Sequence, residues 1–103
     1  MKNVNIGIVG LGRLGRRHAL NLLASVPGAV LVAAASPVAE ERQWGSENLT
    51  GAAIYASLGE LLKHDGLDAV WLVTPTSLHV EQIEESLLAG KHVFCEKPLS
   101  LTL

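Results

Sequence analysis

The sequence predicts an α/β fold: a doubly wound parallel sheet of about five strands in the order 3-2-1-4-5, with helices on both faces. Three observations carry that expectation. Strand-length apolar runs alternate with helix-length segments along the chain, the signature of a parallel sheet built from crossovers. Those runs are nearly continuous in apolar residues, as in strands covered on both faces. Right-handed crossovers with one reversal after the third strand then give the order, and put strands 1 and 4 side by side where the winding changes direction.

Each element has its own local reason. Residues 4–9, VNIGIV, form the first strand. Residues 13–26 form a helix whose core face is expected to carry Leu14, Ala19, Leu22, Leu23 and Val26, and Pro27-Gly28 ends it. Ala29 to Ala35 is the second strand. Ser36-Pro37 has the look of an N-cap followed by proline at the first helical position, opening a short polar helix through Glu40, Glu41 and Trp44. Residues 52–56 make a short third strand. Ser57-Leu58-Gly59-Glu60 has capping-box spacing for a helix with Leu58, Leu61 and Leu62 on its apolar side, closed by Asp65-Gly66. Residues 68–74, DAVWLVT, are the fourth strand. Ser77 to Ala89 is a helix with Val80, Ile83 and Leu87 on the inner face and Glu81, Glu84 and Glu85 outside. Gly90 stops it, and HVFC at 92–95 is the fifth strand.

Composition narrows the class. A chain of 103 residues holds one domain with one core. Its residues are 49% hydrophobic and 17% charged, which points to a globular protein rather than a disordered one. A net charge of −2 supplies no basic footprint for nucleic acid. The apolar runs are too short for a membrane span, so no membrane partner is expected. Met-Lys-Asn leading straight into a strand does not resemble a signal peptide. One cysteine makes no internal disulfide, which suits a reducing cytoplasm.

The chemistry gathers at strand ends. Gly10-Leu11-Gly12-Arg13-Leu14-Gly15 follows the first strand and opens the first helix. In such a G-x-G-x-x-G the first glycine allows the tight turn, the second leaves room for a pyrophosphate, and the third lets helix and strand pack closely. The helix start offers free N–H groups and its positive dipole end to phosphates. Together these imply a Rossmann domain binding NAD or NADP. Arg13 at the helix start is placed either to meet phosphate or to face solvent, and Arg16 and Arg17 read as an exposed helix face. Thr74-Pro75-Thr76 ends strand 4 beside the glycine turn, and Glu96-Lys97-Pro98 follows strand 5. All three segments converge on the carboxyl rim, where ligands bind in this fold.

Ser36 closes strand 2, where an acidic residue would accept hydrogen bonds from the ribose hydroxyls and select NAD. Serine does not repel a 2′-phosphate, and Arg42 lies near enough in sequence to help neutralise one. Glu40 and Glu41, between them, argue the other way. Ser36 also reads simply as a helix cap. His64 and His92 look like loop and strand-edge residues, no Cys/His spacing suggests a metal, and Cys95 reads as a small core residue. Pro98 holds Lys97 in an extended turn, where an ammonium can donate to a hydroxyl or, partly desolvated, shuttle a proton.

With these residues in view, the chain resembles the Gfo/Idh/MocA oxidoreductases, named for glucose–fructose oxidoreductase and inositol dehydrogenase. The resemblance rests on GLGRLGRRHA and on the stretch from LGELL to EKPLSLTL, where TP-x-x-x-H is followed about twenty residues later by EKP. It covers essentially the whole chain. SPVAEE and HVFCEKPLS look like the corresponding stretches of inositol 2-dehydrogenases. The resemblance implies an oxidoreductase that moves a hydride from a secondary alcohol of a cyclitol or sugar to nicotinamide. It implies cofactor contacts from Gly10, Leu11, Gly12, Arg13, Leu14, Gly15, Ser36, Thr74, Pro75, Thr76, His79, Glu96 and Lys97, and a catalytic role for Lys97 in the proton relay. His18 is a weaker cofactor candidate from the same source. Many relatives carry Asp where this chain has Ser36, so the choice between NAD and NADP stays open. Relatives also carry a second domain that holds the substrate and forms homo-oligomers, and the chain reads as the part preceding it. Without that domain the chain is expected to be inactive. Two other classes fit the glycine turn: a non-catalytic NAD(P)-sensing module, against which the full EKP argues, and a methyltransferase, against which the glycine spacing and EKP argue.

Overall fold

Five parallel strands form one sheet in the order β3-β2-β1-β4-β5. The computed structural model describes residues 3–25, 28–74 and 76–95. The strands are β1 (Val4–Val9), β2 (Ala29–Ala35), β3 (Ala53–Tyr55), β4 (Ala69–Leu72) and β5 (His92–Cys95). The helices are α1 (Arg13–Ser25), α2 (Ala39–Asn48), α3 (Leu58–Leu61) and α4 (Thr76–Leu88). The expected fold class, strand count and strand order are all realised.

Alternation along β1 divides the interior into two layers. Ile6 and Ile8 face one way, into a core with Ala19 and Leu22 of α1, Leu31, Ala34 and Leu49. Val9 faces the other way, with Leu58 and Leu61 of α3, Leu67, Val70 and Leu72, and Ile83 of α4 packs against that layer. Gly7 sits between, where an added Cβ would lie 2.8 Å from a Leu61 methyl; its bare backbone lets α3 approach the middle of the sheet. Strand β2 breaks strict alternation. Ile6 pairs with Leu31 but Gly7 pairs with Ala33, so one extra residue is accommodated at Val32.

Several local expectations need correction. Helix α2 begins at Ala39 with Val38 in the cap position and no side-chain cap, so Ser36 is not its cap and Pro37 is not its first residue. Leu14 and Leu23 of α1 are exposed, and the inward face is Gly15, Ala19 and Leu22 with His18 half-buried. The third glycine sets this phase, because Gly15 is the residue that must meet the preceding turn. Val26 and Pro27 lie outside the described residues. In α4, Val80 and Leu87 are exposed while His79, Ile83 and Ser86 turn inward; Ser86 meets its burial cost by donating its hydroxyl to the Gln82 carbonyl at 2.8 Å. Arg16 is not a bare surface residue. Among the described residues strand β5 is covered on one face only, with His92 and Phe94 exposed. Strands β3 and β4 are shorter than read, although Asp68 N–H still bonds Asn5 and Val73 N–H still bonds Val9. The α3 start is as expected: Ser57 Oγ accepts from the Glu60 N–H at 3.2 Å, and Leu58 and Leu61 are buried.

Candidate functional site

The turn between β1 and α1 is built by backbone close approach. Gly10 has φ +106°, a conformation open to glycine. Its N–H bonds the Ala35 carbonyl at 2.9 Å, which ties the turn to β2. A Cβ there would come within 2.3 Å of the Val73 carbonyl oxygen, so the turn lies directly on the end of β4. A Cβ at Gly15 would come within 1.9 Å of the Gly10 oxygen. A Cβ at Gly12 would meet nothing within 4 Å among the described residues. Two glycines are therefore required by the fold itself, and the middle one is bare where the protein places no demand on it.

The rest of the turn is held by side chains. Leu11 is fully buried in the core. Arg16 Nε donates to its carbonyl at 2.9 Å, and the guanidinium lies 4.9 Å from the centroid of Trp44. The first helical bond of α1 runs from Arg16 N–H to the Gly12 carbonyl at 2.9 Å. The amides of Arg13, Leu14 and Gly15 precede it and are the orphan donors of the helix start. Arg13 and Leu14 are themselves exposed.

A cavity of about 550 Å³ opens beside Gly12 at the carboxyl ends of β1, β2 and β4. Gly10, Gly12, Ser36, Glu41 and Thr74 line it, and Leu78 and Gln82 of α4 close its far side. The sequence-predicted glycine turn, Ser36 and Thr74 thus share one cleft. Thr74 Oγ1 donates to Gln82 Oε1, which fixes the threonine across the mouth of β4. Thr76 opens α4 on the same rim. Pro75, Glu96, Lys97 and Pro98 lie outside the described residues.

Ser36 is fully buried. Its hydroxyl donates to Glu41 Oε1 at 2.6 Å and accepts from the Val38 N–H at 3.1 Å. Arg42 Nη1 donates to the Ser36 carbonyl at 2.9 Å. Sequence reading placed Glu41 and Arg42 only as loose charges near Ser36. The missed signal was helical phase: a residue in the first turn of a helix faces back to the strand that precedes it. Gln82 was missed as well, although it follows Leu78 by one turn on the same face.

The histidines sit elsewhere. His79 is buried against the sheet, outside the lining of the cleft, and neither ring nitrogen has a hydrogen-bond partner among the described residues. His18 stacks on Trp71 at 4.4 Å between ring centroids and 26° between planes, inside the α1–sheet interface. His64 Nδ1 pairs with the Tyr55 hydroxyl at 2.7 Å. Burial pushes the Cys95 thiol above its ordinary range. No group of three or more His, Cys, Asp or Glu side chains among the described residues is arranged to hold a metal. No helix among them is long and apolar enough to cross a membrane.

These features fit a dinucleotide. The open face of Gly12 leaves room for a pyrophosphate at the backbone, and the orphan amides of α1 could donate to it. Polar groups at the end of β2 and the apolar sides of Val38 and Leu78 suit an adenosine. Similarity to known proteins agrees. The chain is 42% identical over 100 residues to the scyllo-inositol 2-dehydrogenase (NAD(+)) of Bacillus subtilis, covering 97% of this chain and 29% of that protein. It superposes with TM-score 0.88 and 44% identity on the scyllo-inositol dehydrogenase of Lactobacillus casei solved with NAD(H) and scyllo-inositol, covering 95% of this chain and 29% of the other. The 3-ketoreductase KijD10 of Actinomadura kijaniata, solved with TDP-benzene and NADP, matches at 34% identity and TM-score 0.83 over 95% of this chain and 31% of that one. The chain thus spans about 30% of the length of the relatives it matches. The model of the GFO_IDH_MocA oxidoreductase family, NAD-binding Rossmann fold, matches residues 4–103, and the chain belongs to that family.

Proposed function

We propose that the protein carrying this domain is an NAD(P)-dependent dehydrogenase of the inositol 2-dehydrogenase kind, oxidising a secondary alcohol of a cyclitol or sugar. The observation that carries the proposal is the bare Gly12 beside a cleft at the β1–β4 switch point, in a chain this similar to inositol dehydrogenases. When bound, the nicotinamide accepts the hydride. The amides of Arg13, Leu14 and Gly15 hold the pyrophosphate, and Thr74 and Thr76 border the nicotinamide half. Lys97, just beyond β5, moves the alcohol proton, and Glu96 orients Lys97 or a ribose. Residues that select the substrate belong to a further domain outside this chain, which also forms the oligomer.

The test is turnover of the full-length protein with NAD or NADP on a panel of inositol isomers and sugars. Lys97→Ala is expected to lower kcat by about 10²–10⁴-fold with little change in cofactor affinity. Lys97→Arg is expected to fail as well, because a guanidinium stays protonated. Near-normal turnover in Lys97→Ala overturns the role of Lys97. Cofactor binding with no turnover on any polyol supports a sensing module instead. The chain alone is expected to bind cofactor without turnover.

A further inference from the structure

The end of β2 carries an arrangement that the glycine motif does not explain. The residue at the usual acidic position is Ser36, yet it offers little to a ligand: it is fully buried and its hydroxyl is committed as both donor and acceptor. What it holds is Glu41. Glu41 is half-buried and borders the cleft, and its carboxylate is drawn to the strand end by a 2.6 Å charge-assisted bond. Its second oxygen, Oε2, accepts no hydrogen bond among the described residues. Arg42, the next residue, is turned back to donate to the Ser36 carbonyl.

We infer that Glu41 is the residue that selects the cofactor, accepting hydrogen bonds from the adenosine ribose hydroxyls and excluding a 2′-phosphate, so that the protein prefers NAD to NADP. The inference rests on the dinucleotide reading of the cleft and goes beyond it by assigning the charge at the ribose to α2 rather than to β2. A carboxylate has only acceptor oxygens, which match two vicinal hydroxyl donors. The same charge in a partly desolvated site repels a phosphate bearing nearly two negative charges. Ser36 is then a positioning residue. It fixes the Glu41 rotamer, and the Val38 N–H fixes Ser36 in turn. The absence of an acidic residue at position 36 is not a relaxation toward NADP, because the charge has moved five residues along the chain into the first turn of α2.

The experiment measures binding rather than turnover. NADH and NADPH are titrated calorimetrically into the full-length protein, its Glu41→Gln and Glu41→Ala variants, and Ser36→Ala. Glutamine keeps the shape and an acceptor for the Ser36 hydroxyl, so the fold is expected to survive; thermal melting checks each variant. The unaltered protein is expected to bind NADH at least about tenfold more tightly than NADPH, and both Glu41 variants to narrow that ratio by about tenfold or more, mainly by strengthening NADPH. Ser36→Ala is expected to narrow it less. ADP-ribose and its 2′-phosphorylated form repeat the comparison without the nicotinamide and should show the same shift. An unaltered protein that binds NADPH as well as NADH, or a ratio that stays put in folded Glu41 variants, overturns the inference and leaves the dinucleotide site standing. Binding of neither cofactor overturns the site itself, and the inference with it.

Discussion

The two rims of the sheet use their polar groups differently. At the amino ends, side chains are spent on the chain's own loops. Asn5 Nδ2 donates to the Gly66 carbonyl at 2.8 Å, and the Asn5 N–H donates to Asp68 Oδ2 at 2.8 Å. Lys91 Nζ donates to the Leu67 carbonyl at 2.8 Å, with its stem half-buried. These contacts stitch β1, β4 and β5 together where they start. At the carboxyl ends the tightest packing stops short of the cleft: Gly10 and Gly15 are jammed against carbonyl oxygens while Gly12, the helix amides and Glu41 Oε2 are left unspent. A stable fold satisfies the donors and acceptors it buries. Where a rim holds some back beside a cavity, a ligand can take them.

Substitutions at the glycine turn test this contrast most strongly. Gly15→Ala is expected to destabilise the protein by about 3 kcal/mol, because backbone must move to relieve the contact with the Gly10 oxygen. Gly12→Val is expected to leave the melting temperature within a few degrees, about the scale of a neutral change, while dinucleotide affinity falls by at least about a hundredfold. Unchanged affinity in folded Gly12→Val would show that the open space is incidental.

The amino rim should show the opposite pattern, on a smaller scale. Asp68→Ala removes the acceptor for the Asn5 N–H and is expected to cost about 1 kcal/mol, with cofactor affinity unchanged. Denaturant unfolding and calorimetric binding on one preparation decide it. A loss of affinity there would erase the distinction between the rims.

The smallest effect concerns the thiol at the end of β5. Burial raises the pKa of Cys95, so alkylation at neutral pH is expected to be a few-fold slower than in the unfolded protein. The sign of the linkage follows. Below the unfolded thiol's pKa both states keep the proton and stability is unaffected; as pH rises from there towards the raised folded value, the unfolded state ionises first and folding stability declines. Urea midpoints of the protein and of Cys95→Ser across the alkaline range would reveal that slope, and equal slopes would mean that the thiol is as hydrated folded as unfolded.

Much of this architecture was legible in the sequence because it follows from local chemistry. The apolar runs gave the strands, and the crossover rule gave their order. The G-x-G-x-x-G and the strand order together gave the rim and put Thr74 beside the glycine turn, as found; Glu96-Lys97-Pro98, expected on the same rim, lies outside the described residues. Helix phase was not legible from hydrophobicity. Leu14, Leu23, Val80 and Leu87 are the greasier choices, yet Gly15, His79 and Ser86 face inward. In α1 the deciding contact is one of backbone on backbone at Gly15, which no hydropathy pattern encodes. In α4 the buried Ser86 is made tolerable by its bond to the Gln82 carbonyl, a partner visible only once the helix exists. The tie between Glu41 and Ser36 was missed for a related reason. Its meaning depends on where the first turn of α2 starts, and Ser36-Pro37 suggested a start two residues too early.

The extra residue at Val32 also bears on how relatives are to be aligned. Between the start of β2 and Ser36 the strand holds one more residue than its pairing with β1 requires. A homologue whose second strand runs without that bulge is shorter there by one. Matched position by position from the glycines, its rim residue would be set opposite Ala35, a buried core position, instead of Ser36. The gap belongs at Val32, in mid-strand, where alignments are ordinarily kept free of gaps. Tables of cofactor preference keyed to a fixed distance from the glycine turn would misread such pairs.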